Sequence, residues 1–182
     1  MLKNKDILDE KDKRLRLVSE EVTFPLSKED KDKIKLMVEY LTNSQIDRLA
    51  EKYNLRPGMG MAAIQLGIPK RYLVIVHEIA EEEFNTYIVC NPKIVSNSAE
   101  KIYVEMGEGC LSVNRDVEGI VPRYARVTVE GYDVEGNKIR IRAREELAIA
   151  FQHEIDHLNG ILFTDYIDPK NPYKDENNYR AI

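Results

Sequence analysis

Residues 153–157 read His-Glu-Ile-Asp-His. Two histidines four residues apart sit one turn apart on the same face of a helix, so His153 and His157 can converge on a single divalent ion. Glu154, directly after the first histidine, can hold and deprotonate a water at that ion. This is the chemistry of a metal-assisted hydrolase. The competing reading is a pair of core histidines beside a surface glutamate. A catalytic ion usually takes three protein ligands and leaves one position open for water, so a third ligand must come from elsewhere in the chain.

Few residues can supply it. The chain has three histidines and two cysteines. His77 closes an apolar run that reads as a strand, a place where a lone histidine more often meets solvent or a local partner. Cys90 lies in a similar apolar run and reads as core packing. Cys110 lies in Gly107-Glu108-Gly109-Cys110-Leu111-Ser112, where two glycines permit a tight backbone course. A thiolate there would bind Zn or Fe(II) strongly. The alternative for Cys110 is a small buried hydrophobe. A third segment, Gly58-Met59-Gly60-Met61-Ala62-Ala63-Ile64-Gln65-Leu66-Gly67, lets backbone approach a neighbour or a ligand closely. Gln65 carries an amide that can donate to an anionic oxygen, although such side chains more often serve structure or water.

Composition bounds the setting. The chain has 182 residues, 43% hydrophobic and 32% charged, with a formal net charge of −5. That apolar fraction supports a real core and excludes wholesale disorder. The acidic balance argues against a basic nucleic-acid footprint, so no direct nucleic-acid site is expected. No apolar stretch of 18 residues exists, which excludes a membrane-spanning helix. The charged start Met1-Leu2-Lys3-Asn4-Lys5-Asp6 lacks the apolar run of a signal peptide, and two cysteines cannot form a disulfide framework. The expectation is a cytoplasmic protein with one catalytic domain over residues 1–182.

These elements must position the candidate residues. Residues 27–53 read as helical, with Ser27 and Asp30 at the cap, Ile34, Val38 and Leu41 in register, and an interruption at Asn43-Ser44. Tyr72–Val76 and Tyr87–Cys90 read as buried strands, and Lys93–Val95 with Ile102–Val104 as a further pair. Arg126–Glu130 and Lys138–Arg142 alternate apolar with polar around Glu135-Gly136-Asn137, the pattern of a hairpin with one wet face. Residues 144–158 read as a helix with Leu147, Ala148, Phe151, Ile155 and Leu158 as its apolar stripe, stopped by Asn159-Gly160. Residues 1–20 read as a solvated charged segment and 168–182 as a polar, loosely held tail. Helix, mostly antiparallel strands, then a late helix is an α+β arrangement. The lack of βαβ alternation argues against a nucleotide-binding doubly wound fold.

Together the three segments resemble the motifs of peptide deformylase: G-x-G-h-A-A-x-Q at Gly58–Gln65, E-G-C-h-S at Glu108–Ser112 and Q-H-E-x-D-H at Gln152–His157, with h hydrophobic. The order agrees, and the similarity runs from about Arg56 to Ile167. Val121-Pro122-Arg123-Tyr124 and the text around Cys110 look most like the longer type found in Gram-positive-related bacteria. The resemblance implies that Cys110, His153 and His157 hold one divalent metal ion. It implies Fe(II), with Zn, Ni or Co able to occupy the site. Glu154 would take a proton from the metal-bound water and pass it to the leaving amine. Gln65 and the backbone N–H of Leu111 would donate to the developing oxyanion. The substrate would be the N-formyl group on the initiator methionine of a newly made polypeptide, the product formate, with a transient ribosome contact compatible with that role.

Methionine selectivity needs an apolar pocket. Ile149 and Ala150, one helical turn before His153, are candidates for it or for ordinary core. An extended substrate would bond to backbone near Gly60 or Gly109. Glu108, Arg123 and Asp156 are candidates to orient the ligands, or simply surface ion pairs. Two positions depart from the family pattern. Met61 stands for the usual leucine, a volume-conserving change. Ile64 stands for the usual proline, which frees φ and restores a backbone donor, so a looser Gln65 is expected. A zincin-type peptidase using Asp165 or Asp168 as third ligand is one alternative function; a metal-stabilised, non-catalytic module is another.

Overall fold

A computed structural model describes residues 1–182. Helix α1 (Lys28–Ser44) begins where the sequence signals it: Ser27 Oγ accepts from the Asp30 backbone N–H at 3.1 Å, and Glu29 and Asp30 face the positive helix end. Ile34, Met37 and Leu41 bury its inner stripe. The helix stops after Ser44, and a short helix α2 (Asp47–Tyr53) follows.

Strands β1 (Gly60–Ala62), β2 (Tyr72–Ala80), β3 (Glu83–Asn97), β6 (Arg126–Tyr132) and β7 (Lys138–Arg144) form one sheet in the order β1-β2-β3-β6-β7, with every neighbouring pair antiparallel. Strands β4 (Lys101–Tyr103), β5 (Arg123–Tyr124) and β8 (Arg180–Ala181) form a second, ordered β5-β4-β8. Helix α3 (Glu145–Leu158) follows β7 directly. Strand β2 shows why its run is apolar throughout. Tyr72, Val74 and Val76 pack with α1 residues Met37, Tyr40 and Leu41, whereas Leu73 and Ile75 pack with α3 residues Phe151, Ile155 and Leu158. Both faces of the sheet are covered at β2, so alternation is lost there. No helix is long and apolar enough to cross a membrane.

The α+β class stands, and several local expectations change. Lys93–Val95 does not pair with Ile102–Val104. It continues β3 through Asn91-Pro92, with register shifts between Cys90 and Lys93 and between Ile94 and Ser96. Proline cannot donate to the ladder, so the strand passes it as a bulge instead of ending. Ile102 and Tyr103 pair instead with β5 and β8. The charged segment 1–20 is more than a solvated face: Leu2, Ile7, Leu15 and Ser19 are buried. Its apolar residues are sparse and aperiodic, so they carried no signal. The tail is mostly exposed loop, yet Arg180 and Ala181 add a parallel strand to β4, and Arg180 is bonded to Glu100 and Glu145. At the end of α3, Gly160 adopts φ +74°, and a Cβ there would approach the Arg16 carbonyl oxygen to 2.5 Å, so the glycine is required both by conformation and by space.

Candidate metal centre and active-site cleft

Helix α3 carries His153, Glu154 and His157, and the first two line a cleft of about 760 Å³. All three are buried. The loop after β4 brings Cys110 to them, and its Sγ lies 3.2 Å from His157 Nε2. The thiol sulfur and one nitrogen of each imidazole lie within 4.8 Å of one another, and the two rings are nearly perpendicular with centroids 5.0 Å apart. Tetrahedral coordination at about 2.3 Å for sulfur and 2.0 Å for nitrogen needs ligand atoms at comparable separations, so the donor set fits one ion of the Zn or Fe(II) kind. Asp165 does not join it, being held by Arg16 at 2.5 and 3.1 Å. Asp168 accepts from Lys170 N–H, and His77 faces Glu146 at 3.6 Å. The carboxylates that a zincin arrangement would have drawn on, and the one remaining histidine, are engaged elsewhere.

A buried ionic chain fixes the ligands from behind. His153 Nδ1 lies 2.8 Å from Glu108 Oε1, which leaves Nε2 toward the cleft. Glu108 receives a two-pronged bond from Arg123 at 2.8 and 2.9 Å, and Arg123 reaches Asp156 at 2.5 Å. Tyr166 donates to Asp156 and lies under the Arg123 guanidinium. The Arg123 and Glu108 side chains are only 3% and 4% exposed, so the surface ion-pair alternative fails for both. Burial alone would raise the Glu108 carboxyl; bonds from His153 and Arg123 outweigh it and bring it down to about 2. Glu108 is therefore a fixed anion that orients His153. Burial holds the His157 imidazole well below its ordinary value, with the neighbouring His153 adding to the effect, which keeps it in the neutral form a metal requires.

Glu154 has a different environment. Burial pushes its carboxyl up to about 7, and Oε2 is buried with no hydrogen-bond partner. A carboxylate so placed at neutral pH suits a general base. Its space is made by Gly60: a Cβ there would sit 2.8 Å from Glu154 Cδ and still nearer to Oε1.

Gln65 is firmly held, contrary to the expectation drawn from Ile64. Its Oε1 accepts from Ala62 N–H at 2.9 Å, and its Nε2 donates to Ser112 Oγ at 3.1 Å and faces Cys110 Sγ at 3.7 Å. Ile64 itself is wholly buried with the α3 side of the core, so packing replaces the restraint a proline would give. Leu111 follows Cys110, and its side chain abuts Gly58. Gly60, Gly109, Ile149 and Ala150 all line the cleft. β1 pairs only with β2 and is the sheet's outer strand, whereas Gly109 has open space around it.

Several contributors escaped the sequence reading. Ser112 and Gln152 sit inside the motifs but had no assigned task. Ser112 supports Gln65, and Gln152 clamps α3 to β5 through paired bonds of 2.9 Å to the Tyr124 N–H and C=O. Arg56 braces the Cys110 carbonyl at 2.9 Å, and Phe163 stacks on His153 with centroids 6.0 Å apart. Only the motif positions of Ser112 and Gln152 could have flagged them.

The family model described as polypeptide deformylase matches residues 4–173. The chain belongs to the polypeptide deformylase family. Among its deformylase relatives, peptide deformylase 2 of Bacillus cereus is 47% identical over 173 residues, spanning 95% of this chain and 94% of its own. The peptide deformylase of Shouchella clausii is 50% identical over 177 residues, 96% of each chain. Solved structures agree. A probable peptide deformylase from Synechococcus phage S-SSM7 superimposes with a TM-score of 0.72 at 36% identity, over 88% of this chain and 98% of that one. The peptide deformylase of Thermotoga maritima gives 0.70 at 30% identity, over 90% and 97%. This deformylase is an enzyme of a metal-dependent family, with a Cys-His-His cluster fit to hold the ion.

Proposed function

We propose that the chain, acting as one catalytic domain over residues 1–182, removes the N-formyl group from the initiator methionine of newly made polypeptides and releases formate. The observation that carries this reading is the meeting of Cys110, His153 and His157 beside the unpaired Glu154 carboxylate, at the floor of a cleft in a deformylase fold.

Cys110 Sγ and a nitrogen from each of His153 and His157 would hold one divalent ion per chain. When bound, that ion supplies Lewis acidity and makes water nucleophilic near pH 7. Fe(II) is the metal we assign, and the mixed thiolate and imidazole set also suits Zn, Ni or Co. Glu154 takes the proton of the attacking water and delivers it to the leaving amine. Gln65 Nε2 and the Leu111 backbone N–H donate to the oxygen that becomes negative, a contribution of about 3 kcal/mol for each such donor in comparable enzymes. Glu108 holds the His153 tautomer, and Arg123 with Asp156 keeps Glu108 ionised and in place. Ile149 and Ala150 provide apolar wall for the methionine side chain. The β1 edge at Gly60 and the open backbone at Gly109 accept the peptide in an extended form. The substrate arises where chains are made, which places the work in the cytoplasm and makes a transient ribosome contact useful.

The test is direct. Anaerobically prepared, Fe(II)-loaded protein should release formate from a formyl-Met peptide. Protein with one metal per chain and no formate release above buffer would overturn the assignment.

A further inference from the structure

The segment Leu8–Glu10 ties together both walls of the catalytic site from outside. Leu8 N–H donates to the Gln65 carbonyl at 2.8 Å, and Glu10 N–H donates to the Ser112 carbonyl at 2.7 Å. Gln65 carries one oxyanion donor; Ser112 directly follows Leu111, which carries the other. Side chains extend the tie. The Glu10 carboxylate accepts two bonds from Arg115, at 2.7 and 3.1 Å, and Asp9 accepts from Asn114 at 2.6 Å. Asn114 and Arg115 lie on the cleft wall. The segment is anchored on either side by Ile7 and Leu15, which are buried.

The loop it holds needs such support. Residues 104–122 contain neither helix nor strand, so no ladder of backbone bonds fixes the aim of the Leu111 N–H. Oxyanion donors act by preorganisation, and a small displacement costs rate more than binding.

We propose that Leu8–Glu10 is a strap that positions Gln65 and Leu111 for the oxyanion, with Asp9 and Glu10 as positioning residues. The proposal rests on the deformylase reading of the site. It extends that reading to an acidic segment remote in sequence from all three motifs.

The test uses the full-length, metal-loaded chain carrying Asp9→Ala/Glu10→Ala, with Glu10→Gln as a milder variant that retains an acceptor for Arg115. Misplaced donors should lower kcat about tenfold for the double variant while KM changes little, as expected when an interaction made only in the transition state is weakened. Glu10→Gln should fall between it and the unaltered protein. In a Gln65→Ala background the same strap substitutions should keep the part of their effect that is exerted through Leu111. Amide hydrogen exchange should quicken at residues 111–115 and stay unchanged in β2 and β3. An unchanged kcat in a folded double variant would overturn the proposal. So would unaltered exchange at residues 111–115, a measurement that needs no substrate. The exchange result therefore judges the strap even if unaltered protein releases no formate, an outcome that would count against the deformylase reading instead.

Discussion

Gly60 and Glu154 share one volume: the carboxylate of the helix fills the space where any larger residue on β1 would place its Cβ. The strand edge and the proposed base are thus coupled by contact, although 94 positions separate them. Gly60→Ala should therefore displace the carboxylate while leaving metal binding by Cys110, His153 and His157 in place. We expect kcat/KM to fall roughly tenfold or more, a fraction of the 10²–10⁴ that a positioned general base contributes. Metal content near one ion per chain together with steady-state kinetics checks it. Full activity in Gly60→Ala would show that the carboxylate has room to spare.

Replacing the proposed base separates chemistry from structure. Glu154→Gln should keep the ion and the fold but lose about 10²–10⁴ in turnover. Thermal stability should hold or rise, since the native carboxylate is buried with one oxygen unpartnered. Formate release, metal analysis and melting of the same preparation settle the matter. Loss of the metal would place Glu154 among the ligands instead.

Glu108 sets an acid limit on stability. Its folded-state value of about 2 lies below the ordinary 4.5, so between those values the unfolded chain binds more protons than the native one. The stabilisation is present in full above pH 4.5 and drains away as pH falls toward 2, with a size on the order of 3 kcal/mol. Glu108→Gln should leave Arg123 short of a buried partner and destabilise the metal-free protein at pH 7 by a similar amount, on the order of 3 kcal/mol. The gap between the two proteins should narrow as the solution is acidified. Denaturant unfolding at pH 7, 4.5 and 3 follows it, and a gap independent of pH would contradict the assignment.

The two cysteines should differ in reactivity. Burial, assisted by the charges of Asp133 and Asp30, pushes the Cys90 thiol up to about 12, whereas Cys110 is partly exposed on the cleft. Because the thiolate is the reactive form, iodoacetamide at pH 8 should label Cys110 in the native metal-free protein and reach Cys90 only after unfolding. Metal should protect Cys110. Mass spectrometry of peptides reads both sites, and native labelling of Cys90 would be the contrary result.

Much of the site was legible along the chain because its signals are local. An i, i+4 histidine pair with the intervening glutamate implies a shared helix face wherever that helix lies, and the α3 stripe, the Ser27 cap and the β6–β7 hairpin follow from short-range periodicity. The same reasoning failed at Asn91-Pro92, where a bulge lets β3 continue, and at residues 1–20, where isolated apolar side chains lack a period. It also misjudged Gln65, which is restrained by bonds to Ala62 and Ser112 and by the packing of Ile64.

By itself the sequence determined which groups were available: a thiol, two imidazoles, a carboxylate and an amide, in three ordered motifs. Tertiary structure decided which of them meet and in what surroundings. Glu108, Arg123 and Asp156 became one buried chain behind His153 because folding removed them from water together, and Glu154 was separated from any partner by the same process. Spacing along a chain reports local geometry. It carries no measure of which charges lose their solvent and which keep partners there: bonds from His153 and Arg123 hold Glu108 as an anion against burial, whereas burial raises Glu154, which has an oxygen left without a partner.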